Sequence, residues 1–582
     1  MKTFSEIKKE IKKSKDKQFF SIKLAVLADS ASQLFCQAVK GYGCTRQVDF
    51  DIWEAEYDQI YQTIMDESSD LYKKVPDFVI IFQSQKKLLD KFYKLNFQDR
   101  CHFADNHLQF VELLINTLNS RLKCQVIYLN FAELNDAVFG NYANKLENSF
   151  LYQLRKINFG LMQQGVRHLN FNICDVNTIQ NMLGQQQFSS DKLYVNTDTI
   201  FDLDALVWVG KSITDIILAY TGKFKKCLIV DLDNTIWGGV IGDDGLENIQ
   251  IGNLGIGKAF TEFQKWIKQL KERGIIVCVC SKNTEAIAKE PFERHPDMEL
   301  RLNDISVFAA NWETKVDNIR YIQSVLNIGF DSMVFLDDNP FEREIVRTNI
   351  PGLSVPDLPE DPAEYLTFLR QQNLFETASF TEEDQKRTLQ YQQEARRTVL
   401  QKTFTNEAEF LSSLEMVAII KPVDKFSMPR AAQLTQRSNQ FNLRTVRYTE
   451  SEMESIIADP AQYTYAVTLA DKFGDYGLIS LLIIKKQDEH TAFIDTWIMS
   501  CRVLKRGVEY FVLNEVVADL KAKGVTELIG EYLPTPKNGL VKDHYSALGF
   551  SCHQNLWRLN LSSYIPKEVF ILKKECLKAD PV

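Results

Sequence analysis

Short, mostly apolar runs separated by longer amphipathic stretches set the pattern of this chain. In the first 222 residues they are Leu24–Ala28, Phe78–Phe82, Val126–Leu129 and Leu169–Ile173. Such runs read as strands buried on both faces, and the intervals hold one or two crossover helices each, which predicts a layered α/β domain. The pattern resumes with Cys227–Val230, Ile275–Cys280 and Met333–Leu336. Between the first two lies a helical stretch, Phe260 to Arg273, with Phe260, Phe263, Ile267 and Leu270 on one face and Gly274 ending it. From Thr381 to Leu411 the chain is polar and helix-prone, which predicts a helical connector whose charges form a solvated face. Beyond it, Asp471–Gly477 predicts a hairpin turn into strand Leu478–Ile484. Strand Ala492–Met499, a turn over Ser500–Gly507 and a long helix from Val508 to Lys523 follow, a mixed α+β pattern. The expected division is 1–222, 223–375, a connector over 376–411, and 412–582.

Length allows about three to five domains. Apolar residues make up 45% and charged residues 25% of the 582, ordinary for a globular protein. A net charge of −9 argues against a dedicated nucleic-acid binder. No apolar run approaches the roughly 20 residues of a membrane helix, and the Lys-rich N-terminus has no apolar segment of the signal type, so a cytoplasmic location is expected. The 11 cysteines include no Cys-x-x-Cys pair, and reduced thiols are expected.

The chemistry gathers at strand ends, where ligands meet a parallel sheet. Cys227–Val230 runs into Asp231-Leu-Asp233-Asn-Thr235, followed by Gly238, Gly239 and Gly242, which suggest a turn that brings both carboxylates to one crevice. Ile275–Cys280 runs into Ser281-Lys282-Asn283. Lys315 follows in Asn311-Trp312-Glu313-Thr314-Lys315, and Met333–Leu336 ends in Asp337-Asp338-Asn339-Pro340. Singly these are an acidic turn, a helix cap, a solvated lysine and another turn. Four in order, three of them at strand ends, describe one site.

That order resembles the four motifs of the haloacid dehalogenase (HAD) superfamily. The resemblance implies Asp231 as nucleophile and Asp233 as general acid and then base. Thr235, Ser281, Asn283 and Lys315 are the expected phosphate-binding residues. Mg2+ would be held by Asp231, the Asp233 carbonyl and Asp337, with Asp338 behind them; hard oxygen ligands suit that ion. Only about 45 residues separate Thr235 from Ser281 and about 35 separate Ser281 from Lys315, too few for a folded cap beside the helix and strand they contain. An open site suits a phosphate carried on a large partner, or one covered by another part of the chain.

The fuller match, Asp-Leu-Asp-Asn-Thr-x-Trp-Gly-Gly-Val-x-Gly with Ser-Lys-Asn, Asn-Trp-x-x-Lys and Asp-Asp-Asn-Pro-x-Glu-Arg (Glu342, Arg343), resembles the HAD-IIIC or FkbH-like family. That family is also found with an SGNH-like front and an acetyltransferase-like back. It implies three domains: an SGNH-like α/β domain, a capless HAD parallel sheet and a GNAT-like α+β domain. It implies an activity that takes a glyceryl unit from 1,3-bisphosphoglycerate, removes the remaining phosphate and loads an acyl carrier protein.

At the front, Ala28-Asp29-Ser30 resembles the Gly-Asp-Ser start of SGNH hydrolases. No histidine occurs between His168 and His295, and His168 has no aspartate three residues earlier. A serine without its base is weakly nucleophilic, so docking or binding is expected of this domain. At the back, Arg502 and Gly507 keep the register of the GNAT signature Arg/Gln-x-x-Gly-x-Gly/Ala, while Lys505 replaces its first glycine. Asn538, Tyr545 and Leu548-Gly549-Phe550 match a later signature. Arg502, Asn538 and Tyr545 are therefore expected at an acyl or pantetheine site, with CoA or phosphopantetheine as cofactor. Cys501, beside Arg502 and a helix N-terminus, is expected to favour thiolate and is a candidate acyl relay; its alternative is a small packing residue.

The leading expectation is a Mg2+-dependent phosphatase joined to acyl transfer, working on a phosphoglyceryl or similar group for an acyl carrier protein. The alternative is a stand-alone phosphatase on a soluble sugar or sugar-acid phosphate in polysaccharide assembly. A non-catalytic scaffold is the third reading, and the complete set Asp231, Asp233, Ser281, Lys315 and Asp337 argues against it.

Overall fold

The computed structural model describes residues 1–381, 387–401, 404–438, 440–535 and 537–574; the side chains of residues 387, 388, 394–396, 398, 399, 437 and 501 also lie outside the description. The chain divides into two compact units, Met1–Leu218 and Ala219–Val582.

The first unit is a five-stranded parallel sheet of β1 (Phe20–Ala28), β2 (Val48–Glu54), β3 (Phe78–Phe82), β4 (Gln125–Leu129) and β5 (Phe171–Cys174), in the order β2-β1-β3-β4-β5. β3 is buried at all five positions, as a central strand between helical layers must be. The order reverses between β1 and β3, so the crevice at their carboxyl ends is the topological switch point. Asp29 and Ser30 sit there. His168 precedes β5 and so lies at the opposite end of the same parallel sheet, which keeps it from serving Ser30 as a base.

The second unit opens with β6 (Cys227–Val230), β7 (Ile276–Ser281), β8 (Val307–Ala310) and β9 (Met333–Leu336), all parallel in the order β8-β7-β6-β9. Alternation sends Leu228 and Val230 into one core with Phe260, Phe263 and Ile267. Cys227 and Ile229 pack into another with Ile319, Ile322 and Phe335. A central strand thus carries apolar side chains on both faces, each fully buried Val, Leu or Ile contributing about 1.5–3 kcal/mol. No cap interrupts the core: Thr235 to Ser281 holds a one-turn helix, the helix Gly257–Glu272 and β7, and Ser281 to Lys315 holds the helix Glu285–Arg294, a short 3-10 turn and β8.

The remainder adds β10 (Met416–Lys421), β11 (Gln462–Asp471), β12 (Gly474–Lys486), β13 (Thr491–Met499), β14 (Glu527–Glu531), β15 (Ser551–His553), β16 (Leu556–Asn560) and β17 (Ile571–Lys573). They form a mixed sheet in the order β15-β16-β14-β13-β12-β11-β10-β17, with β10 to β13 antiparallel and β13 parallel to β14. The connector helix Arg387–Gln401 is not wholly solvated, contrary to its polar sequence. Arg397 is 1% exposed and makes a two-pronged 2.7 Å bond to Asp471, and Gln392 Nε2 donates to the carbonyls of Asn303 and Ile305. A helix that bonds both sheets must bury part of its polar face. Among the described residues no helix is long and apolar enough to cross a membrane.

Candidate active site

The parallel sheet delivers its polar groups at one end. Asp231 follows β6, Ser281 closes β7, Asp337 follows β9, and Lys315 begins the helix Lys315–Leu326 after β8. Lys315 Nζ lies 2.9 Å from Asp231 Oδ2 and also bonds Asp337 Oδ2; all three residues are buried. Burial alone would pull the Lys315 ammonium down, but Asp231 and Asp337 outweigh it and hold it above the usual lysine range. Burial, then Asp231, push Asp337 up to about 6 against the pull of Lys315. The same two causes raise Asp338.

Oxygens of Asp231, Asp337 and Asp338 approach within 4.8 Å of one another. Asp231 Oδ1 is buried with no hydrogen-bond partner. Three carboxylates against one ammonium leave an excess of negative charge, and an orphaned buried oxygen asks for a cation or donor. A hard divalent cation such as Mg2+ fits this donor set.

The neighbouring groups hold these carboxylates in place. Arg343 Nη1 donates to the carbonyls of Asp337 (2.8 Å) and Asp338 (2.6 Å). Thr235 is fully buried, and its hydroxyl donates to Asp338 Oδ1 (3.2 Å) and accepts from the Asp338 N–H (3.1 Å). Thr235, expected at the phosphate, thus has its hydroxyl on Asp338. Asp338 stands with Asp231 and Asp337 in the carboxylate group, nearer than expected.

Asp233 is clamped by three donors: Trp237 Nε1 (2.9 Å) and the Ile241 N–H (3.0 Å) on Oδ1, and Asn283 Nδ2 (2.8 Å) on Oδ2. Asn283 Nδ2 also reaches Ser281 Oγ at 3.2 Å, so Asp233, Asn283 and Ser281 form one chain of bonds. The turn that makes this possible needs Asn234 at φ +53°, where its Oδ1 accepts from the Gly239 N–H. It also needs Gly238, whose added Cβ would lie 2.9 Å from Gln250 and Phe260. Sequence reasoning missed the clamps from Trp237 and Ile241 and the carbonyl grip of Arg343; the signal was in the Thr-x-Trp-Gly-Gly and Glu-Arg motifs.

The C-terminal lobe meets the amino end of this sheet, opposite the carboxylates. Lys226, just before β6, and Asp331 share a cavity of about 320 Å³ with Tyr391, Phe441, Ser500 and Arg502, and Lys537 pairs with Asp331. The residues expected at an acyl or pantetheine site are engaged in the lobe's own structure. Arg502 donates to Ser500 Oγ (3.1 Å), the Tyr476 carbonyl (3.1 Å) and Gln390 Oε1. Asn538 Nδ2 donates to the carbonyls of Asn442 and Leu533, both at 2.9 Å. Tyr545 is buried against Gly530, where an added Cβ would lie 2.4 Å from the ring. The Cys501 side chain lies outside the described residues.

CoA does not fit this lobe. β13 and β14 pair only over Thr491–Phe493 with Glu527–Ile529, and beyond that point the chain's own segment 441–443 takes up their backbone groups. Met499 N–H donates to the Phe441 carbonyl (3.2 Å), Leu443 N–H to Trp497 (3.4 Å), and Leu533 N–H to Leu443 (2.9 Å). An extended pantetheine arm with its amides would need those same groups, as an added strand does. Lys505 occupies φ +61° where the signature has glycine, and Arg506 turns inward to Tyr476 and to Asp471 at 3.6 Å.

At the front, Asp29 Oδ1 accepts from the Ser84 N–H (2.8 Å), and Ser30 Oγ is buried without a bond partner. Burial is the main cause that pushes Asp29 up to about 6.

Three comparisons bear on this chain. Residues 23–218 match the model of the FkbH N-terminal domain. No curated protein matches. Among solved structures, the ribosomal-protein-S18-alanine N-acetyltransferase of Escherichia coli is 15% identical, with TM-score 0.21, over 25% of this chain and 94% of its own. The spermidine N-acetyltransferase of Vibrio cholerae, solved with CoA and spermine, is 12% identical, with TM-score 0.21, over 25% of this chain and 96% of its own. The N-terminal part of BF1531 from Bacteroides fragilis, containing a phosphatase domain and solved with Mg, is 53% identical with TM-score 0.62, over 65% of this chain and 100% of its own. With so similar a relative spanned end to end, and with its front matched to the FkbH N-terminal domain, the chain belongs to the FkbH-like family of HAD-type phosphatases.

Proposed function

We propose that this protein is a Mg2+-dependent phosphatase or phosphotransferase that removes phosphate from a phosphoglyceryl or similar phosphorylated acyl group borne by an acyl carrier protein, through an aspartyl-phosphate. The observation that carries the reading is the Asp231 carboxylate. One oxygen is held 2.9 Å from Lys315 Nζ, and the other is buried and unbonded. In this reading one oxygen attacks phosphorus and the other turns to the cation, with which Lys315 competes.

Asp231, Asp337 and Asp338 would hold Mg2+, which when bound supplies charge neutralisation at the phosphoryl oxygens. Asp231 forms a bond to phosphorus as the bond to the leaving oxygen breaks. Asp233, set by Trp237, Ile241 and Asn283, gives a proton to that oxygen. It then takes one from the water that cleaves the acyl phosphate, which returns Asp231 and releases inorganic phosphate. Lys315 and the Ser281 hydroxyl face charge on the transferring group.

The absence of a cap supports a substrate presented on a larger partner. The C-terminal lobe lies at the other end of the sheet, so an acyl group handled by both would have to travel, as one on a carrier arm does. For that acyl half, Cys501 is the proposed relay thiol; because segment 441–443 fills the gap beside β13, a carrier's pantetheine arm would have to reach it by another approach, and Cys501→Ser should abolish acyl transfer while sparing phosphate release. The phosphatase half is tested by acid-quenching the enzyme with Mg2+ and phosphoglyceryl-loaded carrier, then mapping peptides. A phosphoryl group on Asp231, accumulating in Asp233→Asn, is expected. Phosphate release with no acid-stable label on this peptide and full activity in Asp231→Asn would overturn the reading.

A further inference from the structure

Two large aromatic side chains stand in solvent at the mouth of this site. Trp312 is 76% exposed and Phe341 is 69% exposed. Neither is on a loose loop. The Trp312 segment is fixed by Asn311, whose N–H donates to the Ser281 carbonyl (3.2 Å) and whose amide makes a reciprocal pair with Asn318 (2.9 and 3.0 Å). Asn311 Oδ1 also accepts from the Glu313 N–H, and Thr314 caps the helix that starts at Lys315. The Phe341 N–H donates to Asn339 Oδ1 (2.9 Å), and the Asn339 N–H donates to Asp337 Oδ1 (2.9 Å). Each aromatic is thus held through the same short segment that holds a catalytic side chain.

β8 and β9, which these segments follow, are the two edges of the four-stranded sheet. Three strand spacings separate them, about 14 Å. No cap covers the ground between these two segments, so a phosphate borne on a larger partner can bring that partner against both. Rigid exposed aromatic rings lose little conformational freedom on contact and are enriched where binding energy concentrates. With most of each ring in solvent, packing gives them little structural work.

We propose that Trp312 and Phe341 are the specificity residues of the phosphatase: they bracket the phosphoryl arm of a carrier-borne substrate and contact the carrier surface from which it projects. This rests on the carrier reading above and names what selects that substrate over a free phosphoester. It assigns the two side chains no part in bond breaking.

The test compares two probes on the full-length enzyme with Mg2+: phosphoglyceryl-loaded acyl carrier protein and free glycerol 3-phosphate. Wild type should favour the carrier probe in kcat/KM. Trp312→Ala and Phe341→Ala should each raise KM for the carrier probe about tenfold with kcat little changed. Both should leave glycerol 3-phosphate within twofold, which also reports that the variants are folded. If wild type prefers the carrier probe and both variants keep that preference, the proposal is wrong and the carrier reading stands. If wild type shows no preference, the carrier reading falls and this proposal with it. Equal losses on both probes would mark the aromatics as structural and also overturn it.

Discussion

Lys315 Nζ sits between two buried carboxylates, 2.9 Å from Asp231 Oδ2 and bonded to Asp337 Oδ2. It holds the pair together without a metal and competes with one. Lys315→Met should therefore lower kcat by about 10²–10³. The same change should tighten Mg2+ binding, because it removes a positive charge from among the ligands. Calorimetric Mg2+ titration separates the two effects; weaker Mg2+ binding in the variant would contradict the assignment.

Asp233 is proposed to protonate the leaving oxygen. Asp233→Asn should slow alkyl phosphates, whose leaving groups need that proton, by about 10²–10⁴. p-Nitrophenyl phosphate, with a better leaving group, should suffer far less. Equal losses on both substrates would assign Asp233 to positioning alone.

The Arg397–Asp471 pair, 1% and 0% exposed, joins the connector helix to the mixed sheet. Arg397→Ala leaves the buried Asp471 with only the more distant Arg506 (3.6 Å) and the Tyr476 hydroxyl (2.9 Å), so it should cost about 3 kcal/mol, the low end for a broken buried pair. Denaturant unfolding of the full chain measures it, and a loss below about 1 kcal/mol would fit a solvated pair instead.

Asp29 gives a pH signature in the first unit. Its folded value is pushed up to about 6, mainly by burial, from 3.8. A raised carboxyl contributes stability that is fully present below its unfolded value and lost as pH rises through 6. Asp29→Asn keeps an oxygen for the Ser84 N–H and removes the titration. Across the window from about pH 4 to about pH 7.5, the variant should gain on wild type by up to about 3 kcal/mol. Thermal melts across that range test it; parallel curves for the two proteins would refute it.

The filled gap beside β13 predicts that the full chain binds CoA with a Kd weaker than about 1 mM. Saturable binding in equilibrium dialysis at micromolar CoA would show that segment 441–443 leaves the gap.

The phosphatase core was legible because its strands are buried on both faces and each ends in its chemistry. Cys227–Val230 and Met333–Leu336 read directly, and the acids after them marked the site. β8, only Val307–Ala310, is too short to stand out. β2 alternates apolar with acidic residues, the pattern of a half-buried edge strand, and is passed over when only continuous apolar runs are sought. In the C-terminal lobe, Ser551–His553 is exposed at every position and leaves no apolar signal. Arg397 looks like any surface arginine until Asp471 is placed beside it. Thr235 and Asn538 carried motif signals, but Asp338 and Asn442, which they bond, lie far along the chain. Which group a hydroxyl or amide bonds is decided by packing that sequence spacing does not show.

The most direct test of the central claim is intact-mass spectrometry of phosphoglyceryl-loaded acyl carrier protein incubated with the full-length enzyme and Mg2+. The account predicts loss of one phosphoryl group with the thioester retained, and no loss with Asp231→Asn. An unchanged carrier, with free glycerol 3-phosphate hydrolysed by the same enzyme, would contradict it.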